Sequence, residues 1–194
     1  MIRYLKLGWL IFFLYTSIWG APYTDNGNGT VTDTATGLIW QKCSAGQGTS
    51  IGNCSTGSIS KYTWLDAISY CEGLILGNRS NWRLPNINEL GSLIDYSRTS
   101  SPAFDSTSFP NFQFSGQQVS IYWSSSTYLQ NTSNAWIIDF NSGWVDGINF
   151  IKGSGQYVRC VSGPWFTYGS KLIINITWDL IYKLYNIYIH INKY

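Results

Sequence analysis

Charge and histidine are scarce in this sequence. Of 194 residues only 11% are charged, and the single histidine, His190, lies close to the C-terminus. A cytosolic globular protein carries about 25% charged residues, so this composition points away from that class. Nucleophilic catalysis by a Ser/His/Asp or Cys/His set needs a base beside the nucleophile, and one histidine in the C-terminal segment gives it little support. No Cys-x-x-Cys pair is present, which removes the spacing that structural zinc sites use. A basic excess is missing as well. Between Pro22 and Gly163 seven Lys/Arg face nine Asp/Glu, a balance of −2, so nothing pulls this stretch toward nucleic acid or another polyanion. No metal, cofactor or nucleic acid is expected among its ligands.

Rings and turn formers are abundant instead. Aromatics reach 17%, with 10 Trp and 14 Tyr, beside 19 Gly. Such a mixture suits an extracellular, loop-rich domain in which rings fill a core between short elements. Residues 1–21 read as a secretory signal: Arg3 and Lys6 form the basic n-region, Leu7–Ile18 the apolar h-region, and cleavage is expected after Gly20 or Ala21. Uncleaved, the same segment would anchor the chain. Export favours disulfides over thiols for Cys43, Cys54, Cys71 and Cys160. Four cysteines allow three pairings, and sequence does not select one. A local Cys43–Cys54 bridge closes easily over a Gly/Ser/Thr-rich loop; Cys71 would then be left for Cys160, clamping an early helix to a late strand.

The best-defined local signal is Asn81–Leu90, NWRLPNINEL. Pro85 disfavours the helical region at Leu84, so Trp82–Leu84 should be extended. Asn86 then serves as N-cap, Glu89 closes a capping box, and Leu90, Leu93 and Ile94 form one apolar stripe. Trp82, Arg83, Pro85, Asn86 and Glu89 are accordingly given structural roles, with Trp82 inside the core. Upstream, the two Asn-Gly pairs of Asp25–Gly29 predict a hairpin turn rather than a calcium loop, followed by strands at Thr30–Asp33 and Gly37–Gln41. Tyr62–Cys71 reads as a helix with Thr63 as N-cap and Asp66 at N3; Trp64, Leu65, Ile68 and Cys71 are expected to face inward.

Ser97–Pro110 should be irregular and pinned by Phe104 and Phe109. Later strands are predicted at Tyr122–Ser125, Ala135–Phe140, Trp144–Ile151 and Gln156–Val161, with Asn141–Gly143 as a hairpin loop. In Ala135–Phe140 the alternation puts more apolar bulk on the Trp136, Ile138 and Phe140 face. Asp139 and Asp146, across that hairpin, could pair for glycoside cleavage but read better as solvent-facing strand positions.

Taken in order, NGNGTVTDTATGLIWQ (Asn26–Gln41), YTWLDAISYC (Tyr62–Cys71), NWRLPNINEL (Asn81–Leu90), YWSS (Tyr122–Ser125), AWIIDFNSG (Ala135–Gly143) and YVRCV (Tyr157–Val161) resemble the C-terminal domain of the Legionella collagen-like adhesin. The resemblance spans about residues 23–163. It implies a C-type-lectin-like α+β fold, loop-rich and disulfide-stapled, with two helices packed on a small antiparallel sheet and kinship to formylglycine-generating enzymes. It also implies the pairs Cys43–Cys54 and Cys71–Cys160. The family's best-described member is a trimeric surface adhesin that binds sulfated glycosaminoglycans. This chain departs from it twice. It has no collagen-like repeat to drive trimerisation, and its −2 balance lacks the clustered basic charge that favours a sulfated polymer. Calcium-dependent lectins use Glu-Pro-Asn or Gln-Pro-Asp with Trp-Asn-Asp, and none of these triplets occurs. Any sugar would then be held by rings and amides without a required metal.

The expected domain is 22–164, with 165–194 a Tyr/Ile-rich tail outside it. Leu172–Ile191 is apolar enough to suggest a membrane helix, yet Asp179 and Lys183 interrupt it, and aspartate near a helix centre costs about 2.5–3.5 kcal/mol on insertion. The tail therefore reads as amphipathic or loosely packed, with peripheral contact at a membrane surface as one role. A binding face is expected on Tyr128–Asn134 and Trp144–Lys152, which carry Tyr128, Gln130, Asn131, Asn134, Trp144, Asp146, Asn149 and Lys152. Rings give rigid contact area and amides adapt, although the same residues serve equally as solvated loops around a core Trp. These readings converge on a secreted, periplasmic or cell-surface binding module, not an enzyme, whose partner is a glycan or a protein surface; homo-oligomerisation stays open. A competing reading is a structural component of a cell-envelope assembly docked through the tail. A third, an enzyme of the formylglycine-generating type, requires a free thiol.

Overall fold

The computed structural model describes residues 23–48, 54–110 and 120–163. The expected signal 1–21 and tail 165–194, with Leu172–Ile191, lie outside them. Within the described residues the chain forms an α+β unit of short elements: β1 (Tyr23–Asp25), β2 (Thr30–Asp33), β3 (Ile39–Gln41), α1 (Trp64–Glu72), β4 (Trp82–Arg83), α2 (Ile87–Gly91), β5 (Ile121–Thr127), β6 (Ala135–Asp139), β7 (Trp144–Asp146) and β8 (Val161–Ser162). The strands make two antiparallel sheets where one small sheet was expected. One is ordered β1-β2-β3-β8-β4 and the other β5-β6-β7.

The last stretch of chain explains the division. Gln156–Val161 reads as one strand in sequence, but its parts serve different sheets. Tyr157 forms a parallel bridge with Tyr122 of β5. Val161 and Ser162 then insert between β3 and β4, pairing with Trp40 and Ile39 on one side and Arg83 and Trp82 on the other. Similarly, the strand expected over Trp144–Ile151 stops at Asp146. The Asp146 carboxylate accepts the N–H groups of Gly147 (2.7 Å) and Ile148 (2.9 Å), which turns the backbone out of the ladder.

Two apolar clusters fill the space between these elements. One gathers Val31, Leu38, Trp40, Leu90, Phe104, Phe109, Tyr122, Ile138, Phe140 and Val161. The other gathers Ala67, Cys71, Trp82, Leu84, Trp123, Ile137, Val158 and Cys160. Successive residues of a strand point to opposite faces, so Ile137 and Ile138 enter different clusters and β6 is buried on both sides. The alternation expected there does not mark a solvent face, because α1 and α2 pack around β5 and β6. Phe104 and Phe109 pin the irregular segment after α2, as expected.

Local chemistry sets the helix ends. Thr63 caps α1 through its hydroxyl, which accepts the Asp66 N–H at 3.3 Å. Its inward face is built on Ala67 and Cys71, with Trp64 and Ile68 half-buried. Leu65 is a correction: it is 68% exposed, lying one residue, about 100° of rotation, off the 64–67/68–71 stripe. Asn86 and Glu89 form the expected reciprocal capping box on α2. That helix ends at Gly91 with Ser92 as C-cap, so Leu93 and Ile94 reach the core from the following turn. Gly143, at φ +76, closes the β6–β7 hairpin, and an added Cβ would come within 3.3 Å of the Ile94 side chain and 3.4 Å of Ala103.

Both bridges pair as the resemblance implied. Cys43–Cys54 ties a loop with a sequence separation of 11, and Cys71–Cys160 joins α1 to the segment entering β8 across a separation of 89.

Candidate recognition surface

The Asn81–Leu90 stretch forms the interior brace against which the later loops are held. Trp82 is buried, its indole N–H shared between the carbonyls of Leu76 and Arg79 at 3.2 Å each. Arg83 meets Glu89 through two hydrogen bonds, Nη1 to Oε2 at 2.6 Å and Nη2 to Oε1 at 2.7 Å, with the Glu89 side chain wholly excluded from water. Glu89 Oε2 also accepts the Asn86 N–H at 2.9 Å. A buried carboxylate is tolerated only when its lone pairs are used this fully. The Pro85 carbonyl accepts the Ser125 N–H at 2.8 Å, and Ile87 donates to Ser126 Oγ at 3.1 Å, so the brace grips β5 directly.

A buried arginine at the core was not anticipated. Arg159 donates Nη1 to the carbonyls of Gln41 (2.7 Å) and Lys42 and Nη2 to Ser44 Oγ (3.2 Å), while its guanidinium lies 4.8 Å from the Phe109 ring centre. Burial lowers the arginine's pKa from its ordinary value and, with Tyr122 equally enclosed, pushes that phenol up to about 12. Sequence gave no warning, since an arginine between Val158 and Cys160 looks like the exposed member of an alternating strand.

The late loops place the expected binding residues in two sets. Trp144 is 50% exposed on β7, the outer strand of its sheet, with its ring 6.2 Å from that of Phe150. Gln130, Asn131 and Asn149 are exposed, and Asn131 Oδ1 accepts the Ser133 N–H at 3.2 Å. The other four are committed inward. Tyr128 packs edge-on against Trp136 at 5.1 Å and sits on Gly147, whose added Cβ would meet the ring at 2.6 Å. Asn134 is buried, donating to the carbonyls of Gly147 (3.1 Å) and Ile148 (2.5 Å). Lys152 donates to Thr127 Oγ1 at 2.8 Å with its ammonium 4.1 Å from the centre of the Trp64 ring.

Asp146 is 6% exposed and Asp139 3%, which corrects the expectation of solvent-facing carboxylates. Asp139 accepts from Ser120 N–H (3.0 Å), Asn141 N–H (3.0 Å) and Ser142 Oγ (2.8 Å). Both carboxylates are spent on bending backbone, so Asn134, Asp146 and Asp139 shape the loops from within. What the loops do present was missed in sequence: Leu129, Val145, Ile148 and Ile151 are exposed, as Trp144 is. A clue was available, in that isoleucines at 148 and 151 stand in a Gly/Asn-rich stretch too short to bury them.

The model of the Lcl C-terminal domain family matches residues 29–162, more than half of the chain. The chain belongs to the Lcl C-terminal domain family. No curated protein matches it. The matched stretch of this Lcl C-terminal domain holds the brace, both disulfides and the late loops; β1 precedes it yet pairs with β2 in register, Tyr23 opposite Asp33.

A concavity opens along the start of α1. It is an open groove of about 630 Å³ lined by Lys61, Tyr62, Thr63, Asp66, Ser69, Tyr70 and Gly155. The Tyr62 and Tyr70 rings lie 5.2 Å apart at 40°. Tyr62 exchanges backbone hydrogen bonds with Gln156 at 2.9 and 3.0 Å, and Trp64 N–H donates to the Lys152 carbonyl at 2.9 Å, so the turn after Ile151 forms one wall. The groove joins residues far apart in sequence, which is why no local pattern disclosed it. Among the described residues no cluster of His, Cys, Asp or Glu is arranged to hold a metal, and no helix is long and apolar enough to cross a membrane.

Proposed function

We propose that this Lcl C-terminal domain is an exported, non-enzymatic recognition module of C-type-lectin-like architecture whose late-loop face seats on a glycan or protein surface. The observation that carries the reading is the exposed set Trp144, Ile148 and Ile151, with Leu129 from the loop between β5 and β6, all large apolar side chains left in solvent by the late segment. Large rings and aliphatics held in solvent by a rigid scaffold are the usual makings of a contact surface. Asn134 and Asp146 supply the rigidity by pinning the backbone from inside. Paired cysteines suit an oxidising compartment, which makes a secreted, periplasmic or cell-surface location the natural one. All four are bridged, leaving no thiol for chemistry of the formylglycine-generating kind. The −2 balance argues against sulfated polymers as the main ligand.

The test is a binding screen of the mature, disulfide-bonded chain on a glycan array and on immobilised surface proteins. Trp144→Ala and Ile148→Asp should each weaken the strongest signal at least tenfold while the thermal midpoint stays put. A wild-type chain that binds nothing overturns the reading. Full binding by both variants moves the contact to another face.

A further inference from the structure

We infer that the groove between α1 and the Lys152–Gln156 turn is a binding site for an uncharged saccharide, a second site separate from the apolar late face. The inference rests on the recognition role proposed above and names a ligand class for it. Its first support is the floor. Tyr62 and Tyr70 set two rings side by side at the base of the concavity. An aromatic face offers an uncharged, rigid platform for the C–H face of a pyranose. Its second support is the rim. Asp66 and Ser69 are exposed on α1, one turn apart, and both line the groove; Asp66 Oδ2 accepts the Thr63 hydroxyl at 2.6 Å, its Oδ1 can accept from a sugar hydroxyl, and a serine hydroxyl both donates and accepts.

The Tyr70 ring is fixed in place at its hydroxyl end by the buried Gln41. The hydroxyl accepts from Gln41 Nε2 at 3.0 Å, and burial raises its pKa from the ordinary phenol value. Charge narrows the ligand class. Lys61 and Asp66 are the ionisable pair on the rim, and they cancel, so the groove offers no net attraction to a sulfated or phosphorylated chain. Gly155 keeps the opposite wall low, since an added Cβ would stand 3.2 Å from Lys61 Cβ. An open concavity of this volume holds one or two sugar rings rather than a folded partner.

Saturation-transfer NMR on the mature, disulfide-bonded chain provides the test. The probes are methyl pyranosides of the gluco, galacto, manno and N-acetylhexosamine series, with glucose 6-sulfate as the charged control. Transfer to ring protons of at least one neutral pyranoside is expected, with the sulfate ester no better. Asp66→Asn should weaken that binding about tenfold, and Ser69→Leu, which puts bulk on the exposed rim without touching the core, should abolish it. Tyr96→Ser, at an exposed ring outside both the groove and the late loops, should leave it unchanged. Silence from every neutral pyranoside, preference for the sulfate ester, or undiminished binding in both groove variants each overturns the inference. If the array signal survives in that event, recognition by the late face stands; loss of both overturns both.

Discussion

The Asn81–Leu90 brace and the Trp144–Ile151 loop are built from similar materials, a tryptophan, asparagine, an acidic side chain and aliphatics, yet use them in opposite ways. In the brace the tryptophan is buried and its N–H occupied, and Glu89 is wholly enclosed with arginine and a backbone N–H as partners. In the loop, Asp146 is likewise consumed by backbone, but the tryptophan and two isoleucines face water. The difference teaches that burial of the polar groups is common to both regions. What separates them is where the apolar groups go. In the brace apolar burial stabilises the fold, whereas in the loop the buried polar groups fix a backbone that leaves its large apolar side chains in solvent.

Removing the covalent tie should break this contrast most forcefully. Cys71→Ser with Cys160→Ser releases a loop of separation 89, for which the chain-entropy estimate is about 4–5 kcal/mol, against roughly 3 kcal/mol for opening Cys43–Cys54 with its separation of 11. Urea midpoints of the two double variants measure the difference. Equal losses would mean that the long bridge does not clamp the brace side of the fold. Next in size, Glu89→Ala strands Arg83, whose side chain is only 13% exposed. A loss of about 3 kcal/mol is expected in the same assay.

Trp144→Ala sharpens the contrast from the other side. Half in water and touching Phe150, it should cost about 1 kcal/mol or less while lowering ligand binding at least tenfold. A large stability loss would make it a core residue and merge the two regions. The smallest effect belongs to Asp25, whose carboxylate is held below its ordinary pKa first by the hydrogen bond from Lys42, at 2.7 Å, and then by the Gly27 N–H. A lowered folded-state pKa stabilises above the unfolded value and is lost as pH falls through the folded one. Asp25 is half exposed, so screening keeps the term below about 1 kcal/mol. The stability gap between wild type and Asp25→Asn should close on acidification, as thermal melts across an acid series would record.

Sequence disclosed what short-range chemistry decides. The Asn86–Glu89 box, the Thr63 cap, the positive-φ Gly143 and the extended Trp82 each depend on neighbours a few residues away, and each stands where local rules put it. Arg83 against Glu89 was placed only as structural, since its bidentate pairing depends on the turn between them. Long-range placement was harder. One ribbon shared between two sheets makes Gln156–Val161 look like a single strand, and the two apolar clusters on either side of β6 erase the expected solvent face. The candidate surfaces suffered most. Asp146 and Asn134 read as ligand contacts because both are polar loop residues, and nothing local told that their partners would be the backbone of 147 and 148. Exposure of Ile148 and Ile151 runs against the hydrophobic rule itself, and only the three-dimensional placement reveals it.

The way the chain leaves its described part has a mechanical side. Val161 and Ser162 lie between β3 and β4, and Cys160, directly before them, is bonded to α1. Tension applied beyond Gly163 is therefore taken up at once by an inner strand and then, one residue further in, by a sulfur–sulfur bond. Through that bond the load passes to Cys71 near the end of α1, so a pull from this end is shared between a strand and a helix instead of peeling the last strand away alone.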